Sequence, residues 1–118
     1  MKAVLLVSHG SRSPKTKEEV GQLTAKLQGR VDAGIIRFAF LELEKPDIPE
    51  GIRDCVEAGA DEVFLLMNFL NAGRHTDEDI PAILKEQQKK YPGIKLRMSK
   101  PVGQHAGIVD LFVELSRS

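Results

Sequence analysis

Apolar residues fall into three nearly continuous runs along the chain and a fourth run that alternates with polar residues. The continuous runs are AVLLV at 3–7, IIRFAFL at 35–41 and VFLLMNFL at 63–70. Such runs are typical of parallel strands that are buried on both faces, whereas a half-exposed strand alternates. The fourth run, IKLRM at 94–98, alternates as an edge strand does. The pattern therefore predicts four strands, three of them buried.

Two helices between these strands have clear start signals. Before the first helix, Ser13-Pro14 offers an N-cap residue followed by a first-turn proline. Before the second helix, Asp47 and Glu50 have the spacing of a capping box, in which each side chain bonds the backbone N–H of the other. Gly59 predicts the end of this second helix.

Two further helical patterns follow the third and fourth runs. Thr76 through Asp79 is expected to cap a helix that stops at Tyr91-Pro92-Gly93, and Pro81 is tolerated because it falls near the first turn. The last helical pattern extends from about His105 to Leu115. Its apolar residues, spaced three and four apart, predict one buried stripe, which consists of Ile108, Leu111, Phe112 and Leu115.

Strands and helices alternate along the whole chain, in the order β-α-β-α-β-α-β-α. This order predicts a parallel sheet with right-handed crossovers and helices on both faces. The predicted fold is a flavodoxin-like, doubly wound sheet of four strands. A chain of 118 residues with 42% hydrophobic residues has room for one core. We therefore expect residues 1–118 to form a single α/β domain.

Charge and cysteine content argue against several classes of function. Lys plus Arg and Asp plus Glu number 17 each, so the overall field does not favour nucleic acid. No segment approaches the roughly 18 apolar residues that span a membrane. Met1–Ser8 lacks the basic region and cleavage site of a signal peptide. The single cysteine, Cys55, can form neither an internal disulfide nor a multi-thiolate metal site, so a buried thiol in a cytoplasmic protein is expected.

Polar residues that can bind a metal follow three of the predicted strands. His9 comes directly after the first strand, Glu42 after the second and His75 a few residues after the third, at equal intervals along the chain. In a doubly wound parallel sheet, the loops beyond the carboxyl ends of the strands converge on one crevice. We therefore expect these three side chains to lie near a common point.

Two imidazoles and a carboxylate are suitable ligands for a borderline divalent ion such as Co²⁺, Ni²⁺, Fe²⁺ or Zn²⁺, with positions left open for a substrate. A plainer interpretation exists for each residue: a histidine at a strand end is often only a hydrogen-bonding loop residue, and Glu42 can be a solvated carboxylate. Glu44, two residues on, would point to the same side of an extended chain. The spacing alone does not choose between the two glutamates.

Groups that bind anions surround this edge in the sequence. Gly10 and Gly73 permit a bulky ligand to approach the backbone closely. The loop that contains Ser11 leads into the start of the first helix, where negative charge is favoured. Arg12 and Arg74 add forked donors suited to carboxylates or phosphates. A flat or extended polyanion that accepts a metal would use all of these groups.

The chain resembles the small CbiX-type sirohydrochlorin chelatases in four segments, LLVSHGSR, FAFLELEKPDIPEGI, NAGRHTDEDIPAIL and PVGQH. These proteins belong to the class II chelatases, which also include SirB, CbiK and the protoporphyrin ferrochelatases. The resemblance extends from Met1 to about Leu115. The order of SHGSR, FLE and GRH along the chain makes it specific.

This resemblance implies insertion of a divalent metal into sirohydrochlorin, a reduced tetrapyrrole rich in carboxylates, on the way to cobalamin, sirohaem or coenzyme F430. In relatives, the histidines of HGS and GRH bind the metal and the glutamate of FLE lies close by. The resemblance therefore implies His9, His75 and Glu42 as metal-binding and catalytic residues, and it favours Glu42 over Glu44. Co²⁺ is the expected ion for the small form, Ni²⁺ and Fe²⁺ stay open, and no organic cofactor is expected.

Two segments depart from the family pattern. Met67-Asn68 stands where many members have a proline, and PVGQH replaces a commoner Leu-Gly-Pro-His version, so His105 is interpreted as a helix N-terminal residue rather than a ligand. Full-size class II chelatases have two similar lobes around a cleft, whereas this chain has the length of one lobe. A homodimer whose sheet edges face each other is therefore expected.

Two other functions stay open. One is a non-catalytic carrier of metal or tetrapyrrole that uses the same site. The other is a phosphate-handling enzyme in which His9 is the nucleophile and Arg12 and Arg74 hold the phosphate. In the second case Glu42 would have no obvious task.

Overall fold

Four strands and four helices alternate along residues 1–117, which the computed structural model describes; Ser118, the last residue of the predicted domain, lies outside them. The strands are β1 (Lys2–Ser8), β2 (Ile35–Phe40), β3 (Glu62–Met67) and β4 (Lys95–Met98). The helices are α1 (Pro14–Leu27), α2 (Ile48–Glu57), α3 (Ile80–Lys90) and α4 (Gly107–Leu115). A π-helical turn (His75–Asp79) precedes α3, and a 3-10 turn (Val102–Gln104) precedes α4. Within residues 1–117 we find no helix with both the length and the apolar character that crossing a membrane requires.

All four strands are parallel, and they pair in the order β2-β1-β3-β4. At the centre, Leu5 of β1 lies opposite Arg37 of β2 on one side and Leu65 of β3 on the other. This order confirms the predicted flavodoxin-like, doubly wound sheet. The winding direction reverses between β1 and β3, and a crevice opens beyond the carboxyl ends of strands at such a reversal.

Helices cover the two faces of the sheet unequally. On one face, Leu5 belongs to a large core that also contains Ile52 of α2 and Ile80 of α3. On the other face, Leu6 packs with Val20 of α1 in a smaller core. Successive strand residues point to opposite faces, so both faces require apolar residues, which explains the continuous runs of the sequence.

Capping signals correctly predicted the starts of α1 and α2. Pro14 is the first residue of α1, although the side chain of Ser13 before it makes no capping hydrogen bond. At α2, the Asp47 carboxylate accepts from the Glu50 N–H and the Glu50 carboxylate accepts from the Asp47 N–H, each at 2.9 Å, so the capping box is complete. Gly59, beyond the end of α2, has a φ of +107°, a conformation that favours glycine.

The third helix begins earlier than predicted. Residues 75–79 form a π-helical turn continuous with α3 instead of a cap in front of it. The Asp77 N–H donates to the Gly73 carbonyl at 2.8 Å, and the Gly73 N–H donates to Thr76 Oγ1 at 3.0 Å. The Thr76 side chain therefore stabilises the turn through a hydrogen bond inside it. Pro81 is the second residue of α3 and has no N–H to donate, so it lies where the π-helical turn passes into the α-helix.

The burial predicted for α4 is wrong. None of residues 107–115 is buried, and Leu111, Phe112 and Leu115 are 55%, 61% and 67% exposed. Within residues 1–117, α4 makes few contacts with other elements, and these are mainly with the 3-10 turn before it rather than with the strands. The described chain is accordingly elongated, at 48 × 32 × 29 Å. An apolar stripe indicates which residues favour burial, but not which surface buries them.

Candidate metal centre

The pairing of β1 with β2 continues past the strand ends and sets His9 beside Glu42. The Leu41 N–H donates to the Ser8 carbonyl at 2.8 Å, and the Glu42 N–H donates to the His9 carbonyl at 3.0 Å. The two side chains thus stand on neighbouring stretches of backbone whose separation is fixed by the sheet. They lie at the carboxyl edge, where the sequence places them.

Gly10 brings the loop after β1 against the backbone of Glu42. Its φ is +102°, and a Cβ atom at this position would overlap the Glu42 carbonyl oxygen. The close approach at Gly10 is therefore to the protein's own backbone. At Gly73, by contrast, a Cβ atom would meet open space, so a ligand can approach the backbone there.

The side chains of His9, Glu42 and His75 converge at this edge. One ligand atom from each lies within 4.8 Å of the other two, and the two imidazole rings are 4.9 Å apart between centroids. His9 Nε2 and Glu42 Oε1 are 2.9 Å apart. Ligand atoms bound to one tetrahedral ion at about 2.1 Å are roughly 3.4 Å from each other. The three side chains would therefore need to move only slightly closer together to bind one cation.

The cluster is open on one side. The side chains of His9, Glu42 and His75 are 43%, 51% and 46% exposed. A structural zinc site is closed by four protein ligands, whereas three ligands with an open face leave room for a further ligand on the ion. The arrangement therefore suits a metal that is delivered to or exchanged with a bound molecule.

Both ring nitrogens of His9 face oxygen atoms. Nδ1 is 3.1 Å from the Gly10 carbonyl, and Nε2 is 2.9 Å from the Glu42 carboxylate. A neutral imidazole carries one N–H, so it can donate to only one of these oxygens. With the N–H on Nε2, His9 donates to Glu42; with the N–H on Nδ1, a cation between Nε2 and Glu42 would satisfy both groups. The same pair of groups can therefore hold a metal ion or a proton.

Asp79 lies against His75 from one turn further along the chain. Its Oδ2 is 2.9 Å from His75 Nδ1. A carboxylate accepts but does not donate, so His75 Nδ1 carries the proton and Nε2 is left with a free lone pair. Ligand histidines in metal sites are oriented in this way by carboxylates. The pattern of residues 76–79 indicates a helix cap and therefore did not predict the role of Asp79, although its spacing of four residues from His75 is visible in the sequence.

Glu44 has a different task from Glu42. Its Oε1 accepts a hydrogen bond from the Ser11 N–H at 2.8 Å, which ties the loop after β1 to the loop after β2. The backbone of Leu43 between the two glutamates has a φ of +70°, so the chain is not extended there. The geometry thus separates two residues that the sequence spacing alone could not. It also commits the Ser11 N–H to protein instead of to a ligand.

The two arginines lie at the margin of the cluster and are exposed. Arg12 follows the loop of Ser11, and Arg74 directly precedes His75. Arg74 Nε is 3.5 Å from Glu78 Oε2, and both side chains are largely exposed, which makes this a weak ion pair. A cavity of about 410 Å³ adjoins His9 and Gly10 on the α1 side. His105 is outside the cluster and lies just before α4, as predicted.

A second polar contact that sequence analysis missed joins β1 to β3 beneath the cluster. The Asn68 side-chain amide donates to Ser8 Oγ at 3.0 Å, and the Asn68 N–H donates to the Val7 carbonyl at 2.8 Å. A proline at position 68 could make neither bond.

Two imidazoles and a carboxylate at the carboxyl edge of a doubly wound sheet have the donor types of a divalent-metal site in an α/β protein. The sequence model of the CbiX family matches residues 3–118. The chain is therefore a member of the CbiX family.

Two longer proteins have sequences similar to this chain. A sirohydrochlorin cobaltochelatase of Priestia megaterium is 33% identical over 113 residues, which are 95% of this chain and 36% of that protein. A sirohydrochlorin ferrochelatase of the same organism is 32% identical over 114 residues, which are 97% of this chain and 43% of the relative. The chain thus spans less than half the length of these two relatives.

A solved structure shows the same relation. The sirohydrochlorin chelatase SirB of Bacillus subtilis subspecies spizizenii, solved in complex with cobalt, superposes with a TM-score of 0.89 at 29% identity. The superposition covers 98% of this chain and 50% of SirB. This chain therefore corresponds to one half of SirB.

Proposed function

We propose that this chain inserts a divalent metal ion, Co²⁺ in the first instance, into sirohydrochlorin. The observation that carries the proposal is the convergence of His9, Glu42 and His75 at an open sheet edge. Membership of the CbiX family and the names of the two Priestia relatives support the same substrate. The metal is a substrate of the reaction, and no organic cofactor is required.

The metal binds first to the two imidazoles and Glu42. His75 is prepared for this step because Asp79 holds its Nδ1 proton, and His9 must give up any proton on Nε2 before it can bind. Metal loading is therefore weakened by acid, since protons compete for the same nitrogens. The open face leaves coordination positions for the incoming tetrapyrrole.

Carboxylates of the tetrapyrrole bind to the basic groups around the edge. Arg74 can exchange its exposed ion pair with Glu78 for a substrate carboxylate at little cost, because both groups are solvated. Arg12 and the start of α1 offer further donors. Gly73 leaves the backbone beside Arg74 accessible to the ring.

Metal insertion exchanges two pyrrole protons for one divalent ion. The ring is held puckered so that its nitrogen lone pairs face the metal, at a cost of roughly 1–5 kcal/mol that the carboxylate contacts offset. Glu42 and the imidazoles accept the protons as the ion leaves them, because they are the bases within reach of the metal position. The protein ligands are then replaced by ring nitrogens.

Which metal ion the chain inserts is a separate part of the proposal. The two Priestia relatives are named for cobalt and for iron respectively, and the ligand set binds both ions. We propose Co²⁺ and, with it, a role in cobalamin synthesis; Fe²⁺ would indicate sirohaem instead. Values of kcat/KM for Co²⁺, Ni²⁺ and Fe²⁺ with purified protein distinguish these possibilities, whereas binding affinity alone follows the Irving–Williams order.

A second lobe is proposed to complete the substrate cleft. The cluster is half-exposed, so one sheet edge leaves one side of a macrocycle uncovered. In SirB the matched region is one half of a longer chain. We propose that a second copy of this chain takes the corresponding place, with the two edges facing each other.

The central experiment replaces His75 with alanine. Insertion of Co²⁺ into sirohydrochlorin, followed anaerobically by absorbance, is expected to fall to the uncatalysed rate in His75→Ala, because one of two imidazole ligands is lost. Rates near those of the wild type would remove His75 from the mechanism.

A pair of glutamate variants provides the control. Glu42→Gln removes a ligand and a base and should slow insertion strongly. Glu57→Gln makes the same chemical change at an exposed residue at the end of α2 and should leave the rate unchanged. If the wild-type chain binds metal and sirohydrochlorin without accelerating insertion, it is a carrier and the proposed enzymatic function is wrong.

A further inference from the structure

Helix α4 is apolar on nearly all of its sides. Within residues 107–115, the charged side chains are those of Asp110 and Glu114, one turn apart on the same side. Besides the predicted stripe, Val109 and Val113 form a second apolar row, and they are 62% and 43% exposed. A helix that is apolar all round is normally buried between two surfaces. A single copy does not provide two such surfaces for α4.

A vacant apolar groove lies on the face of the sheet that α1 covers. It is about 420 Å³ in volume, and its apolar lining includes Leu6 and Leu66 of the sheet, Leu23 and Leu27 of α1, and Val102. In a doubly wound sheet, helices pack on both faces. This face has α1 beside β1 and β2, so the groove occupies the position of a second helix.

The segment before α4 directs the helix away from this groove. Gly103 packs so closely on the Leu70 backbone that a Cβ atom would overlap it, and its N–H donates to the Phe69 carbonyl at 3.0 Å. Two residues later, the His105 ring accepts a hydrogen bond from the Gly107 N–H at 2.9 Å and fixes the bend into α4. The anchor and the bend together hold α4 off the sheet, and none of residues 107–115 lines the groove.

We propose that α4 of one copy fills the groove of a second copy and that the exchange is reciprocal. An isologous two-fold arrangement presents each helix to the other copy's groove. The predicted stripe of Ile108, Leu111, Phe112 and Leu115 occupies the groove, and the row of Val109 and Val113 packs near the two-fold axis. Folding α4 back onto its own groove would bury the stripe but leave that row exposed, which favours the second copy as the occupant.

The exposed apolar surface of α4 would be buried twice in a reciprocal dimer. Five apolar side chains of α4 are 43–67% exposed. Stable interfaces typically bury on the order of 1,200–2,000 Å² in total, and an exchange that covers two helices and two grooves adds both contributions to one interface. Phe112 would be buried near the centre of this interface, so this aromatic residue is the expected anchor.

The exchanged helix would also form a wall of the proposed substrate cleft. The groove and the cavity beside His9 share Leu23 and Asn68 as lining residues, so they are continuous. This consequence rests on the proposed chelatase function, whereas the exchange itself does not. Dimerisation would therefore be required for full activity but not for folding of a single copy.

Sedimentation of the 118-residue chain tests the exchange first. The wild type should be a dimer, and Phe112→Glu should weaken the dimer at least about tenfold in Kd, because a charge enters an apolar groove. The matched control, Glu114→Lys, changes charge on the polar side of the same helix and should remain dimeric. Phe112 is exposed in a single copy, so circular dichroism should show that the variant folds. A monomeric wild type, or a dimer indifferent to Phe112→Glu, would overturn the proposal.

Disulfide trapping identifies which groove the helix fills. One chain carries Leu23→Cys and another carries Phe112→Cys; Cys55 is fully buried and does not compete. Mixing the two chains and oxidising them should give a cross-linked heterodimer. A chain that carries both substitutions and cross-links within a monomer would show that α4 folds back on its own groove, and absence of any cross-link would equally contradict the exchange.

Activity separates this inference from the proposed function. A trapped dimer that does not insert metal would refute the chelatase function and leave the exchange intact. A Phe112→Glu monomer with the full activity of the wild type would show that the exchanged helix is no wall of the cleft.

Discussion

Asp79 determines which nitrogen of His75 is available to a metal. Because its carboxylate accepts the Nδ1 proton, the lone pair of His75 is confined to Nε2. His9 has the analogous arrangement with a weaker partner, the Gly10 carbonyl at 3.1 Å. The two imidazoles therefore differ in how firmly their tautomers are set, and His75 is expected to be the stronger ligand.

Replacing Asp79 by asparagine tests this orientation. Asp79→Asn removes the carboxylate that orients the His75 ring and accepts its Nδ1 proton, so affinity for Co²⁺ should fall roughly ten- to a hundredfold. Titration of the purified chain followed by cobalt absorption bands measures the change. Asp79→Glu should restore part of the affinity. Asp77→Asn, in the same turn but without a contact to His75, is the control, and an Asp79→Asn affinity equal to that of the wild type would refute the role.

Sequence could predict the two histidines of the site but not the choice of glutamate. His9 and His75 follow buried strands, so their edge is fixed by the direction of the sheet. Glu42 and Glu44 would share a side only if the chain between them were extended. The left-handed backbone of Leu43 turns Glu44 toward the Ser11 N–H instead. No local rule requires that conformation at a leucine, so family resemblance supplied what spacing did not.

At the scale of the helices, local capping signals decide where α1 and α2 begin. The capping box of α2 is the strongest of them. Burial opposes ionisation of Asp47, but the Glu50 N–H and the Lys45 ammonium outweigh it and hold the pKa of that carboxyl below its ordinary value of 3.8. The ionised form of Asp47 is therefore more stable in the folded chain than in the unfolded one.

Asp47→Ala is expected to lower the free energy of unfolding by about 1 kcal/mol at neutral pH, because α2 loses its N-cap. The stabilisation due to ionised Asp47 is present above its unfolded pKa of 3.8 and is lost as pH falls through the lower folded pKa. The difference between wild type and variant should therefore shrink in acid. Urea denaturation at several pH values measures it, and a gap that widens below pH 3.8 would contradict the assigned charge state.

Local signals succeeded for helices that have a surface to cover and failed for α4. The stripes of α2 and α3 face the sheet, and they contribute Ile52 and Ile80 to the larger core. The same kind of stripe on α4 follows an anchored bend at residues 103–107, which sends the helix away. A hydrophobic pattern carries no information about the direction of the segment before it, and the position of α4 therefore required the structure.

At the scale of the whole molecule, the larger core contains the only cysteine. Cys55 of α2 is fully buried between this helix and the sheet. Burial raises the pKa of its thiol to about 11, so the thiolate that reacts with disulfide reagents is scarce at neutral pH. The thiol is expected to respond only when the core itself opens.

Labelling of Cys55 with an aromatic disulfide reagent should therefore report global unfolding. At pH 8 the folded chain should resist modification, and reactivity should rise with denaturant along the same curve as circular dichroism. Ala25→Cys, at an exposed position of α1 outside the groove, serves as the accessible control and should react at once. Reactivity of Cys55 at much lower denaturant would show that α2 opens separately from the rest of the core.

The hydrogen bonds that carry β1 and β2 on to His9 and Glu42 have a practical consequence. Adding or removing one residue inside either strand would turn every later side chain to the opposite face, and the ligand with it. Changes of length at the opposite end of the sheet leave this alignment untouched, and Gly29, in the turn after α1, has open space around it. That turn is accordingly the place to graft a fluorescent probe or a fusion partner while keeping the chemistry at the other end intact.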